Sequence, residues 1–391
     1  MFDLAIIGSG VMGTFHAYHA ALIGKKVIVF EKDLKPLEAS VRNFGQVVPS
    51  GFAPGRWHHY GRYSTQLYKK IQEQFNIGIR NNGSIYVAST VTELALLEEL
   101  HLSFMLENYP SRLLSKEEVL VKWPALKNDY VIGGLFFEQE VSSESRMMIH
   151  QLHQFMRETQ QIDFHYLTSI KDINDNGNSV ELTTDKNKKI KAAKVVICNG
   201  RDFKLLYPTI FNASEIEVVK INMMVTQPLP QIALPGNILT GLTIRRYESF
   251  KALSGYKKLD PTEVNQEANA NGIHILFKQR VDGSIVIGDS HHYADAAKAD
   301  ELGFDVDLYV GKIIVEESKK IINLPSWELA NTWNGFYSQM KGDQEIFELQ
   351  PSTNVYISTA IGGKGMTASA GYAKEQIETI FGDKLTFPEI D

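Results

Sequence analysis

Apolar positions along this chain follow two different spacings, and the switches between them mark its elements. Leu4-Ala5-Ile6-Ile7 is an uninterrupted apolar run, short enough for a strand buried on both faces. Phe15, Ala17, Ala20 and Ala21 then keep a helical spacing as far as Gly24, a natural helix stop. A second apolar run, Val27-Ile28-Val29-Phe30, ends in Glu31. Residues 40–51 keep neither spacing and are rich in Gly, Pro and small polar residues, which predicts an irregular loop. Residues 56–75 place Tyr60, Tyr63, Leu67, Ile71 and Phe75 on one stripe of a helix. His58 and His59 open it, but adjacent helix positions diverge by about 100°, so they are poor partners for one metal. Residues 78–89 read as a hairpin turning at Asn81-Asn82-Gly83. Thr90 with Glu93 and Ser115 with Glu118 predict capping boxes for two helices, the first with Leu94, Leu97, Leu100 and Phe104 inward. A strand at 131–137 and a helix at 143–159, with Met148, Leu152, Phe155 and Met156 inward, complete the first half.

Strands are predicted at 164–172 and 179–184 around the turn Asn174-Asp175-Asn176-Gly177, followed by a solvated lysine-rich turn over 185–194. Residues 194–200 then form a buried strand returning to the first sheet, with Cys198 a small core residue rather than a nucleophile. From residue 220, β-branched and alternating segments at 221–226, 239–245, 273–279 and 285–288 predict an antiparallel sheet. Residues 257–272 read as an exposed loop and 305–322 as a helix. A strand at 355–358, a glycine turn and a helix to residue 381 close the pattern.

The first thirty-one residues carry the chemistry. Strand, Gly8-Ser9-Gly10-Val11-Met12-Gly13, helix and strand form a dinucleotide-binding unit. Gly8 permits the tight turn, Gly10 the approach of a pyrophosphate, and Gly13 the close packing of helix on strand. The helix N-terminus offers free N–H groups to phosphates, and Glu31 accepts from a ribose while repelling a 2′-phosphate, so NADP is disfavoured. The closing turn, Gly362-Gly363-Lys364-Gly365-Met366-Thr367, lies far away in sequence yet has the same strand–turn–helix form. The architecture expected is therefore α/β. A Rossmann-like nucleotide domain is drawn from residues 1–80, 140–215 and 330–391. A second α+β domain on the antiparallel sheet comes from residues 81–139 and 216–329.

Composition narrows the class. The 391 residues are 43% apolar and 22% charged, with net charge −6, so neither nucleic acid nor an anionic membrane is the expected partner. One cysteine excludes an intrachain disulfide and fits a reducing compartment. No apolar run reaches the ~18 residues of a membrane span, and the opening strand leaves no room for a signal peptide. A soluble, cytoplasmic protein is expected.

Taken together, these residues resemble the D-amino-acid oxidase and glycine oxidase superfamily of FAD enzymes. The resemblance rests on the Gly8–Gly13 turn with Glu31, the run Ser40-Val41-Arg42-Asn43-Phe44-Gly45-Gln46 and the 194–200 strand. Asp282-Gly283-Ser284-Ile285-Val286-Ile287-Gly288, Trp333-Asn334-Gly335-Phe336 and the closing Gly turn complete it. It implies that Gly8, Gly10, Gly13, Glu31 and Lys32 hold the ADP half of a noncovalent FAD, with Ile170 near the adenine and Gly200 beside the cofactor. Ser40, Arg42, Asn43, Phe44 and Gly45 would line the ribityl and flavin. Gly362, Gly363, Lys364, Gly365, Met366 and Thr367 would meet the pyrimidine edge. That edge gains negative charge on reduction, which a helix N-terminus stabilises, and Lys364 either adds to this or is an exposed loop lysine.

Val41 to Gly45 with Pro49, and Arg245-Arg246-Tyr247 with Phe250, further resemble a bacterial subgroup proposed to oxidise aminophosphonates. Arginine matches a phosphonate dianion with paired N–H donors. As neighbours on a predicted strand, Arg245 and Arg246 would face opposite ways, so one of them reaches the pocket. Tyr247, His291 and Tyr337 are candidate catalytic residues beside Lys364. Many relatives carry an arginine after the Trp-x-Gly motif where Tyr337 stands here, and sarcosine-oxidase relatives carry an oxygen-activating lysine where Val286 stands.

The expected reaction is hydride loss from the carbon beside a neutral amine to the flavin, then hydrolysis of the imine. The substrate is a small amine with an anionic end, and the acceptor is oxygen or another molecule. No metal site is expected, and the oligomeric state is open. The alternatives are an oxidase of glycine, sarcosine or D-amino acids, a non-catalytic FAD-binding subunit, and an NAD-dependent dehydrogenase, which would purify colourless.

Overall fold

The computed structural model describes residues 1–385. The opening strand, Phe2–Ile7, pairs in parallel with Val27–Phe30 on one side and with Lys189–Ile197 on the other. Leu4, Ala5, Ile28, Val195 and Ile197 are buried, as a strand covered on both faces requires. Lys189–Ile197 is shared along its far edge: Val180–Thr184 pairs antiparallel with its first half, Val355–Thr359 parallel with its last three residues. The closing strand is thereby brought beside the opening unit. Val11–Leu22 and Gly365–Phe381, the helices that follow the two glycine turns, pack together against Arg56–Gln74.

Among the described residues, the second sheet has nine strands. Its longest pair is antiparallel, Ile216–Thr226 with Leu329–Met340. Leu276–Gln279 and Ile285–Gly288 lie beside it, and among the described residues its single parallel pair is Asn237–Leu239 with Ser84–Ala88. A three-stranded sheet of Gln46–Val47, Val141–Ser143 and Ile79–Arg80 completes the strands named here. Among the described residues, no helix is long and apolar enough to cross a membrane.

Several expectations are corrected. The two halves of the predicted 78–89 hairpin do not pair with each other: Ile79–Arg80 bonds to Val141–Ser143, while Ser84–Ala88 joins the nine-stranded sheet. Gly83, at φ +75°, redirects the chain between sheets. The predicted strand at 164–172 is broken, because Asp163–His165 edges the first sheet and Ile170–Asp175 starts a new ladder. The lysine-rich turn is shorter than expected, since alternation from Lys189 onward already belongs to a strand with Ile190 and Ala192 buried. The loop at 40–51 contains a short helix, Ala39–Arg42, and a two-residue strand. The strand predicted over 239–245 ends at Leu239, and Gly241–Ile244 is one helical turn.

Ser115 and Glu118 form the complete capping box. Thr90 caps its helix through Glu93 N, but the Glu93 carboxylate passes over Thr90 to Ser89 N and Oγ, both at 2.8 Å. This leaves its second oxygen for Arg245.

Glu140 offers a stability test. It is fully buried, accepts from Ser50 N at 2.8 Å and Tyr109 Oη at 3.1 Å, and leaves Oε2 without a hydrogen-bond partner among the described residues. Burial raises its pKa to about 7 against the opposing hydrogen bonds. A folded-state pKa raised above the unfolded value gives stability that is full at low pH and is lost as pH rises through about 7. Glu140→Gln is expected to flatten that slope, worth roughly 3 kcal/mol between acid and neutral pH. Urea unfolding at pH 5 and pH 8 measures it.

Candidate active site

The two glycine turns open on one cavity of about 930 Å³. At the first, Gly8 has φ +100°, and a Cβ there would stand 2.2 Å from Cys198 O. A Cβ on Gly13 would stand 1.9 Å from Gly8 O, so these two glycines are required by close packing of strand, turn and helix. Gly8 and Gly10 line the cavity, whereas Gly13 lies behind it. Glu31 is fastened to the turn: Oε2 accepts from Ser9 N at 3.2 Å and Ser9 Oγ at 2.8 Å, and Oε1 from Asp33 N at 3.1 Å. A carboxylate takes about four hydrogen bonds, so one position is left without a partner among the described residues, in a residue that lines the cavity. Lys32 lines the same wall with its ammonium 2.7 Å from Asp202, and Ile170 and Gly200 lie along it.

The second turn starts the last helix. A Cβ on Gly365 would lie 3.7 Å from Val11 Cγ1, which places the starts of both helices side by side. Gly362, Gly363, Lys364, Met366 and Thr367 also line the cavity. Lys364 is not an uncompensated charge: its ammonium lies 3.4 Å from Glu248 and over the Trp57 ring. Gly200 O accepts from Ser338 Oγ and Thr359 Oγ1, both at 2.9 Å, tying the return strand to the closing one.

The loop between them spends its side chains on its own shape. Ser40 Oγ accepts from Val11 N at 2.8 Å, and Asn43 bonds to Ala39 O, Ser40 O and Gly45 N. Arg42 donates to Leu37 O and Asn334 O. What this loop offers a ligand is its surface, with Phe44 and Gly45 lining the cavity.

Arg245 and Arg246 are separated by the helical turn rather than by strand alternation. Arg245 lies outside the cavity lining, in ion pairs with Glu93 at 3.1 Å and Glu263 at 2.6 Å. Arg246 lines the cavity, donates to Tyr293 Oη at 2.8 Å, and has no ion pair among the described residues. Tyr247, His291 and Tyr337 line it as well. Burial pushes both phenols up, and burial lowers His291 to about 3 despite Asp289 nearby, so its ring is neutral near pH 7.

Two residues of this wall were not anticipated. His274 and Asp289 exchange both backbone hydrogen bonds, at 3.0 and 2.8 Å, and His274 Nε2 lies 2.7 Å from Asp289 Oδ1. The polar run Asp289-Ser290-His291-His292 after an apolar strand was the available signal. Lys278 was missed too. It stands directly opposite Val286 in the sheet, but its amine donates to Ser143 O at 2.5 Å and is outside the cavity lining. Burial lowers its pKa to about 7. Cys198 is buried and its thiol is pushed up by burial, as a core residue's should be. His58 packs against Phe104 and Tyr109, away from His59, which is exposed.

This cavity suits an extended dinucleotide on its own geometry. Two adjacent helix starts, a glycine forced into a positive φ and a carboxylate with one position unpartnered among the described residues all line it. Comparison with known proteins agrees. The chain is 23% identical over 351 residues to an opine oxidase subunit from Rhizobium meliloti, covering 85% of this chain and 81% of that one. It is 24% identical over 140 residues to the mitochondrial pyruvate dehydrogenase phosphatase regulatory subunit of Mus musculus, and spans only 16% of that protein. In structure it resembles glycine oxidase from Geobacillus kaustophilus, with TM-score 0.76, 17% identity and coverage of 99% and 96%. It also resembles FAD-bound L-alpha-glycerophosphate oxidase from Mycoplasma pneumoniae, with TM-score 0.78, 16% identity and coverage of 100% and 99%. Residues 3–378 match the family described as FAD dependent oxidoreductase, and the chain belongs to that family.

Proposed function

We propose that this enzyme oxidises a small primary or N-methylated amine whose far end is anionic, an aminophosphonate being the best-matched case. Bound FAD supplies a two-electron acceptor for the carbon–hydrogen bond next to nitrogen. The chain's own residues bind and orient the amine. Arg246 carries the reading, as a guanidinium facing the cavity with only a phenol oxygen as its hydrogen-bond partner among the described residues. A planar fork of donors fits phosphonate or carboxylate oxygens in a bidentate way. Tyr247, Tyr337 and neutral His291 wall the space beside it, and Lys364 with Glu248 closes the side near the second glycine turn.

Gly8, Gly10, Glu31, Lys32, Ile170 and Gly200 would hold the ADP half of FAD, and the 40–45 loop with the 362–367 turn the flavin half, with Gly13 shaping the turn. The division into 1–80, 140–215 and 330–391 against 81–139 and 216–329 belongs to the same reading.

The test is an anaerobic panel of amines followed by flavin absorbance near ~450 nm, then repeated in air with peroxide measured. Bleaching by an aminoalkylphosphonate, and not by glycine, sarcosine or an amine lacking the anion, is expected. Bleaching by glycine or sarcosine instead would favour an ordinary amino-acid oxidase. No bleaching by any amine would favour a non-catalytic subunit, a role with no need of charged groups held inward.

A further inference from the structure

We propose that Asp289 receives the nitrogen of the substrate, so that the cavity holds its ligand at two opposite charges, nitrogen on Asp289 and anion on Arg246. This rests on the amine-oxidation reading above and adds the specificity element that reading lacks. Asp289 lines the cavity and is only 7% exposed. Its Oδ1 lies 2.7 Å from His274 Nε2, a contact at the margin of hydrogen-bonding geometry, and has no other donor among the described residues. A carboxylate accepts about four hydrogen bonds, so a buried one with a single neighbouring donor is costly unless a ligand completes it. An N–H of an amine or ammonium is such a donor.

The groups facing this carboxylate are His274, His291, Arg246 and the phenols of Tyr247 and Tyr337. Burial works against its charge, but His274, His291 and Arg246 together hold its pKa below the ordinary value. Asp289 is therefore held as an anion in a wall that also presents Arg246, His274, the phenols of Tyr247 and Tyr337 and the neutral ring of His291.

A divalent metal is the rival occupant, since His274, Asp289 and His291 offer ligand atoms within 4.8 Å of one another. The spacing disfavours a tetrahedral one. His291 Nδ1 lies 3.0 Å from Gly272 O, which fixes a proton there and leaves Nε2 as its ring nitrogen able to ligate. His274 Nε2 stands 2.7 Å from the carboxylate, whereas two ligands of a tetrahedral zinc at bonds of about 2 Å stand roughly 3.3 Å apart.

The experiment uses two phosphonates that cannot be oxidised, because the carbon bearing the nitrogen has no hydrogen. They are 2-amino-2-methylpropylphosphonate and 2,2-dimethylpropylphosphonate, in which a methyl replaces the amine. Binding to the FAD-loaded protein is read by flavin absorbance and by calorimetry. The native protein is expected to bind the amine at least about tenfold tighter than its methyl counterpart. Asp289→Asn is expected to reduce that ratio to about twofold or less without weakening the methyl compound, and Asp289→Glu to keep part of it. An unchanged ratio in Asp289→Asn overturns the assignment. So does a native protein that binds both compounds equally, a result that needs no variant to fold. A stoichiometric divalent metal lost in Asp289→Asn overturns it in favour of a metal site. If the native protein binds neither compound, the anion site at Arg246 fails first, and the assignment falls with the reading it rests on.

Discussion

Gly8→Ala is expected to give a protein that purifies colourless, with FAD affinity reduced a hundredfold or more. At φ +100° the backbone conformation alone costs about 1–3 kcal/mol for a residue with a Cβ. The new methyl would also overlap Cys198 O at 2.2 Å, a backbone atom held in the neighbouring strand by the bond from Cys198 N to Ile7 O. The turn must shift, and with it the surface offered to the pyrophosphate. Gly24→Ala is the control. Gly24 also has a positive φ, +73°, but among the described residues nothing lies within 4 Å of a Cβ built there. It should cost about 1 kcal/mol of stability and leave the protein yellow. Flavin absorbance per protein after gel filtration, with thermal unfolding of both variants, reads the contrast.

The adjacent arginines should separate cleanly. Arg246→Met is expected to lower kcat/KM by roughly a hundredfold, mostly through KM, with little change in unfolding, because its donors serve the ligand. Arg245→Met should do the reverse. Its partner Glu93 is 3% exposed at the side chain, and removing one member of a buried pair costs about 3–5 kcal/mol. Tm should fall by several degrees while KM stays near the native value. If the two variants exchanged these effects, the assignment of pocket and support would be reversed.

Why these neighbours differ shows where the sequence was readable. Alternation in a strand would have sent them to opposite faces, and they do take different surroundings. The physical cause is the helical turn at Gly241–Ile244, too short for any periodicity to register. The opening unit was legible because buried parallel strands, glycine spacing and Glu31 act locally. The closing turn was legible for the same reason, although its position beside Val11 depends on the pairing of Val355–Thr359 with Lys189–Ile197. The hairpin at 78–89 misled because Asn-Asn-Gly specifies a turn and not the partner of the strands on either side. The strand Leu329–Met340 was legible only as a motif, since its buried positions include the unbroken run Trp333 to Phe336 and keep no alternation, and its ladder with Ile216–Thr226 is a long-range pairing. Asp289 and His274 escaped notice because neither has chemistry alone: their meaning comes from the ladder that sets them 2.7 Å apart.

A crystal structure of the yellow protein is the most direct test of the account. Continuous density for one FAD is predicted, its pyrophosphate at Gly8–Gly10 and its isoalloxazine edge against the helix start at Gly365, with Arg246 facing the space over the ring. Density placing the isoalloxazine away from residues 362–367, or Arg246 turned from the ring face into solvent, would contradict it.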